Sequence, residues 1–143
     1  MASLTVSRSG PVPPGRAWER YARPERWSGW APHITRVETG ADRIAPGVSG
    51  RVWSWCRVRV RFEVDEVDEA RRVWTWRART GPLALYMRHE VAPDGRGGSR
   101  TRLTLHGPLP VIALYRPLAS LALGRLVATD PDGADPEPAP EGG

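Results

Sequence analysis

The sequence predicts an α+β domain: an antiparallel sheet with two short helices near its start and one long helix at its end. Three observations carry this. From residue 34 to 106, apolar and polar residues alternate with a period of two, in runs divided by Gly, Pro and Asp. Ahead of that region, Pro14, Pro24 and Pro32 frame two helix-length segments rich in aromatic residues. After it, residues 109–128 place apolar side chains at helical spacing.

Each element has its own signal. Leu4-Thr5-Val6-Ser7 alternates and predicts a short strand, which Pro11, Pro13, Pro14 and Gly15 end. Pro14 suits a first helical turn, and Trp18 and Tyr21 then lie on one face of a helix over Arg16 to Tyr21. Pro24 opens a second helix over Glu25 to Trp30, and Pro32 closes it. Ile34 to Thr39 and Val48 to Trp55 predict two strands, the latter entered through Pro46-Gly47. Val58, Val60, Phe62 and Val64 alternate with Arg57, Arg59, Arg61 and Glu63, as in a strand with one buried and one wet face. Asp65-Glu66 predicts a bulge or bend before Val67, and Asp68-Glu69 a turn. Trp74, Trp76 and Ala78 face inward on the next strand, then Leu83, Leu85, Met87, His89 and Val91 beyond Gly81-Pro82. The Asp94–Gly98 hairpin leads to a last inward set, Thr101, Leu103 and Leu105. Connections this short exclude parallel crossovers. In the final helix, Val111, Leu114, Tyr115, Leu118, Leu121, Ala122 and Leu126 share a face, with Arg116 and Ser120 opposite and a kink expected at Pro117.

Composition bounds the function. The 143 residues suit one domain, expected over 1–129. Residues 130–143 are acidic, Pro- and Gly-rich and without a large apolar side chain, so a disordered tail is expected there. The net charge of +5 divides unevenly: five acids give the tail −5 and leave +10 on the rest. All 21 basic residues are Arg, while Lys, Asn and Gln are absent, which points to a GC-biased codon usage as much as to an anionic partner. The Arg residues fall on outward strand positions with most aromatics on the other face, so nucleic acid is not the expected partner. One cysteine and three scattered His predict neither an internal disulfide nor a metal site. No signal peptide is evident, and the apolar stretch at Val111–Val127 is interrupted by Arg116, Pro117 and Arg125, so no membrane insertion and a cytoplasmic location are expected. A homodimer is compatible with all of this.

The order of elements resembles the START/SRPBCC superfamily, the helix-grip fold of plant pollen allergens, lipid-transfer START domains and bacterial polyketide cyclases. Pro13-Pro14 before Ala17-Trp18 and the stretch Glu25-Arg26-Trp27-Ser28-Gly29-Trp30-Ala31-Pro32 are similar to segments of its bacterial polyketide cyclase/dehydrase-like branch. Pro46-Gly47, Trp74-Thr75-Trp76 and His89-Glu90-Val91 before a Gly-rich hairpin follow in the usual order. The resemblance covers residues 3–128 or so. It implies a curved sheet of about seven strands gripping the C-terminal helix, with a cavity for an apolar ligand between them.

Two functions follow, neither requiring a cofactor. The first is binding of a small hydrophobic or aromatic molecule in that cavity, with Trp27, Trp30, Trp55, Phe62, Trp74, Trp76, Met87, His89, Leu105, Tyr115 and Leu118 as ligand-binding candidates. Indole rings suit a planar ligand and offer an N–H to one of its oxygens, although filling a core is their commoner use. The second is a polyketide cyclase/aromatase activity, with His89 and Arg59 as catalytic candidates. Gly50-Arg51-Val52-Trp53-Ser54-Trp55 resembles a stretch of the aromatase/cyclases, and Arg59 falls at the position of their pocket Arg, which the resemblance casts as stabilising an enolate. The strand pattern points Arg59 to solvent instead, unless a bulge near Cys56 resets the register. An inward His89 could act as general acid/base, though a lone inward His more commonly serves as a satisfied core or binding group. A third reading, electrostatic binding of an anionic surface or nucleic acid by the Arg face, would show as strong salt dependence.

Overall fold

Alternation in the middle of the chain becomes a seven-stranded, wholly antiparallel sheet. The computed structural model describes residues 2–54 and 58–128. The strands are β1 (Ala2–Gly10), β2 (Ile34–Thr39), β3 (Ser49–Ser54), β4 (Arg59–Asp68), β5 (Val73–Thr80), β6 (Leu83–Pro93) and β7 (Ser99–Gly107), in the order β1-β7-β6-β5-β4-β3-β2. Helix α1 (Pro14–Ala22) and helix α2 (Trp27–Trp30), joined by a 3₁₀ turn at Pro24–Arg26, follow the first strand, and α3 (Leu109–Val127) ends the domain. The sheet curves around α3, the helix-grip arrangement that the resemblance implies.

The pleat sets what faces the core. On β5, Trp74, Trp76 and Ala78 are buried while Arg77 and Arg79 are exposed. On β6, Met87, His89 and Val91 alternate with exposed Arg88 and Ala92. The irregularity expected at Asp65-Glu66 is a bulge: register shifts between Val64 and Glu66 against β5, so Val67 pairs with Trp74 and returns to the inner face. Gly50 on β3 lies opposite Phe62, whose ring covers it; a Cβ there would press on that ring and on the Glu38 carbonyl.

Charged and polar side chains tie the helices to the sheet. Arg20 of α1 is buried and its guanidinium donates to the carbonyls of Leu126 (2.6 Å) and Ala128 (2.9 Å), capping the end of α3 where the helix dipole favours a cation. Arg43 bridges Glu19 of α1 and Glu69 after β4, and Trp18 donates its indole N–H to Glu69.

Three expectations need correction. Val58 lies before β4 and is 39% exposed, not inward. Leu83 is also exposed, at the start of β6 ahead of the stretch that pairs with β7. The buried face of α3 is Ile112, Ala119, Ala122, Leu123, Leu126 and Val127, rotated by about a quarter turn from the expected one. Leu114 is 80% and Leu121 51% exposed. The helix is apolar nearly all round, so its periodicity cannot say which side meets the sheet. By length and hydropathy α3 would pass for a membrane span, but it packs on β1 and β7 as the core helix. The expectations for Trp55, for a bulge near Cys56 and for the tail at 130–143 lie outside the described residues.

Candidate functional site

Between the inner face of β5–β6 and the middle of α3 lies a cavity of ≈ 30 Å³, with a wall that is almost wholly apolar. That volume suits about one water molecule. Cross-strand pairing builds its floor. Trp74 pairs with His89 and Trp76 with Met87, so the four side chains share one face of two adjacent strands. His89 stacks on Trp74 (centroids 4.8 Å, planes 14° apart), and Trp74 stacks on Trp76 (5.4 Å, 17°). Trp27 leans on both tryptophans and on Phe62.

The indole N–H groups divide into two kinds. Those of Trp27 and Trp30 donate to the backbone carbonyls of Tyr21 (2.9 Å) and Arg20 (3.0 Å), which fixes α2 against α1. Those of Trp74 and Trp76 are buried and meet no acceptor among the described residues. The first pair is therefore structural, and only the second has hydrogen-bonding capacity to offer.

His89 is 4% exposed and sits at one end of a buried polar chain. Its Nδ1 is 3.0 Å from the Tyr21 hydroxyl, which is 2.8 Å from Thr101 Oγ1, and Thr101 donates to the Glu90 carbonyl at 3.2 Å. Its Nε2 is buried without a partner. Burial depresses the imidazole pKa to about 3, so the ring is neutral at physiological pH. Burial likewise pushes the Tyr21 phenol far above its usual range. At the rim, Tyr115 of α3 is hydrogen-bonded to His33 Nε2 (2.8 Å), and this contact joins the helix to the loop between α2 and β2.

Of the sequence candidates, Trp27, Trp30, Trp74, Trp76, Met87, His89 and Tyr115 line the cavity. Phe62 and Leu105 are buried behind this lining, in the core. Leu118 is only half-buried and does not reach the cavity, a consequence of the rotated helix face. Arg59 is exposed on the outer side of the sheet, its guanidinium 5.3 Å from the centre of the Trp53 ring, with Arg36 at 5.5 Å. Because Trp53 pairs directly with Arg59, the two share the outer face, and Arg59 has no path to the cavity.

Sequence reasoning missed Tyr21 and Thr101 as members of the site, and Ala119 and Leu123 as its lid. One signal was present: Thr101 is a polar residue in an inward position, on the strand beside His89. A second, wider concavity lies on the outer side, where Glu66, Asp68, Thr75 and Arg88 line an open groove of ≈ 640 Å³. Its charged rim suits water, not an apolar ligand. Among the described residues no cluster of three or more His, Cys, Asp or Glu could hold a metal.

A family model described as "Polyketide cyclase / dehydrase and lipid transport" matches residues 1–130. No curated protein matches in sequence. Solved structures similar in fold include Ara h 8.0201 (TM-score 0.70, 16% identity, 87% of this chain and 94% of that one). The protein XoxI from Bacillus cereus is also similar (0.76, 16%, 89% and 94%). So is the di-domain ARO/CYC BexL of the BE-7585A biosynthetic pathway (0.74, 14%), where 89% of this chain covers 45% of that one. At these identities the likeness shows the fold alone.

Proposed function

The chain belongs to the polyketide cyclase / dehydrase and lipid-transport family, and on that premise we propose that it binds a small planar, largely apolar molecule between the β5–β6 wall and α3. The observation that carries this is chemical. Four buried polar groups without partners, His89 Nε2, His33 Nδ1 and the indole N–H groups of Trp74 and Trp76, belong to side chains on the wall of one apolar cavity. A buried polar group left unsatisfied costs roughly 1–3 kcal/mol. A stacked wall with unpaired polar atoms is poor core filling and a good receptor for a flat ring bearing oxygen.

The cavity as it stands is smaller than such a ligand, so binding requires its wall to move. The Tyr115–His33 contact at the rim is where α3 and the facing loop would part. Tryptophan fluorescence during titration with flat polycyclic and with fatty-acyl ligands tests the proposal. Quenching that saturates with the flat ligands is expected; no response to either class overturns it.

A second reading is cyclase/aromatase catalysis without a cofactor, favoured by the position of His89 in the cavity and by the family's description. Two observations weigh against it. Arg59 faces away from the cavity. An imidazole whose pKa is near 3 is a weak base at neutral pH, far from the matched value that proton transfer favours. His89→Ala should abolish turnover of a poly-β-keto substrate if this reading holds; unchanged turnover removes His89 from it. The Arg-rich outer face is partly neutralised by Glu63, Asp65 and Glu90. Nucleic-acid retention, if any, should vanish with modest salt.

A further inference from the structure

We infer that His89 selects the ligand: it presents a fixed, unprotonated Nε2 to the cavity and therefore prefers a hydroxyl-bearing aromatic, such as a phenol or enol, over the same molecule without the O–H. This rests on the cavity-binding reading above and goes further by naming the group that is recognised.

The argument follows the protons along the buried chain. The Glu90 backbone carbonyl can only accept, so the single hydroxyl proton of Thr101 is committed to it. The 2.8 Å contact between Thr101 and Tyr21 then needs a proton from the other side, and Tyr21 must supply its own. With that proton used, the 3.0 Å contact between Tyr21 and His89 requires a hydrogen on Nδ1. The reverse polarity would leave Thr101 Oγ1 and the Glu90 oxygen as two acceptors facing each other without a proton. Since a neutral imidazole carries one N–H, Nε2 is left as a lone-pair acceptor.

Nothing among the described residues donates to that lone pair. The ring cannot turn to find a donor, because it stacks on Trp74 and meets the edge of Tyr21 at 4.7 Å. Burial keeps it from taking a second proton, which would convert the acceptor into a donor. A ligand hydroxyl satisfies Nε2 by donating, while its oxygen can still accept from an indole N–H. An ether or an unsubstituted ring leaves Nε2 unpaired, and sites built to bond a hydroxyl discriminate strongly against analogues lacking it.

Two measurements on the full chain test this. The first needs no ligand: long-range ¹H–¹⁵N correlation of the imidazoles should show His89 with a pyrrole-like Nδ1 and a pyridine-like Nε2. The opposite pattern, or an averaged one, overturns the assignment. The second is calorimetric titration with p-cresol and with 4-methylanisole, which differ in the O–H and a methyl group. The cresol should bind about tenfold more tightly, a preference that falls to near unity in His89→Phe. Tyr21→Phe, which cuts the chain but keeps the imidazole, should weaken the preference and average the His89 nitrogen signals. Equal binding of the two compounds by the unsubstituted protein overturns the selection of a hydroxyl but leaves the cavity reading standing. Failure of both compounds to bind overturns the cavity reading, and the selection with it.

Discussion

The molecule uses one pair of side chains twice, a histidine on a tyrosine, and the two pairs behave differently. In the deep pair, Tyr21 lies edge-on to His89 and the hydrogen bonds run on through Thr101 to a backbone carbonyl. In the rim pair, Tyr115 lies edge-on to His33 at 5.4 Å, but its hydroxyl meets only His33 Nε2 among the described residues, and no chain runs on from it. A chain that ends on an atom able only to accept has one possible arrangement of protons. A pair whose hydroxyl has no second partner among the described residues has two. The deep pair therefore defines a chemical preference, whereas the rim pair is a contact that can be made and released.

The comparison can be broken from the deep side first. Glycine 50 sits beneath the same aromatic floor, and Gly50→Ala should cost about 1–3 kcal/mol by driving a methyl into the Phe62 ring, read as a lower urea midpoint with unchanged slope. Tyr21→Phe should cost about 2 kcal/mol, since it leaves the His89 Nδ1–H buried without an acceptor. Acidification probes the same group without mutation. The folded pKa of His89 lies below its unfolded value of 6.5, so between those values the unfolded chain binds the extra proton and stability falls as pH falls. Between pH 7 and 5 the loss attributable to His89 should be about 2 kcal/mol, and it should disappear in His89→Phe. His33 is shifted in the same direction by burial and should contribute with the same sign.

Smaller effects sharpen the contrast. Tyr115→Phe should cost under about 1 kcal/mol in stability yet speed ligand entry, measured by stopped-flow fluorescence, because it loosens only the rim. Smallest is the Arg43 network. Arg43 hydrogen-bonds to Glu19 and Glu69 and holds both carboxyls below their usual pKa of 4.5, so its stabilisation is present above that value and is lost as pH falls below it. These groups are more than a third exposed, so Arg43→Ala should cost only about 0.2–1 kcal/mol, in equilibrium unfolding at pH 7.

Legibility in the sequence followed the physics of each element. Period-two alternation located the strands and the inward faces of β5 and most of β6, because one face of an antiparallel sheet is dry and the other wet. Asp65 marked the bulge because two adjacent acids interrupt an apolar alternation. The orientation of α3 was not legible: Leu114 and Ile112 are equally apolar, and only packing against β1 and β7 decides which is buried. Leu118 was misplaced for that reason. The polar chain was hidden differently, since Tyr21, His89 and Thr101 come from α1, β6 and β7 and meet only where α1 packs on those two paired strands. Arg59 shows the reverse: strand alternation alone outweighed a motif resemblance and gave the correct side.

The first strand closes the sheet against the last, with Ala2 opposite Gly107 and Gly10 opposite Ser99. As the chain leaves the ribosome, β1 therefore has no partner until nearly all the domain has been made. Its exposed edge must wait through the synthesis of the whole meander, and α3, which packs on both β1 and β7, cannot dock before they pair. Such late, long-range closure makes folding slow and leaves an adhesive strand unprotected in the meantime. Along Ser3-Leu4-Thr5-Val6-Ser7-Arg8, the hydroxyl residues that alternate with Leu4 and Val6 leave polar side chains on that waiting edge, a brake on pairing with the wrong neighbour.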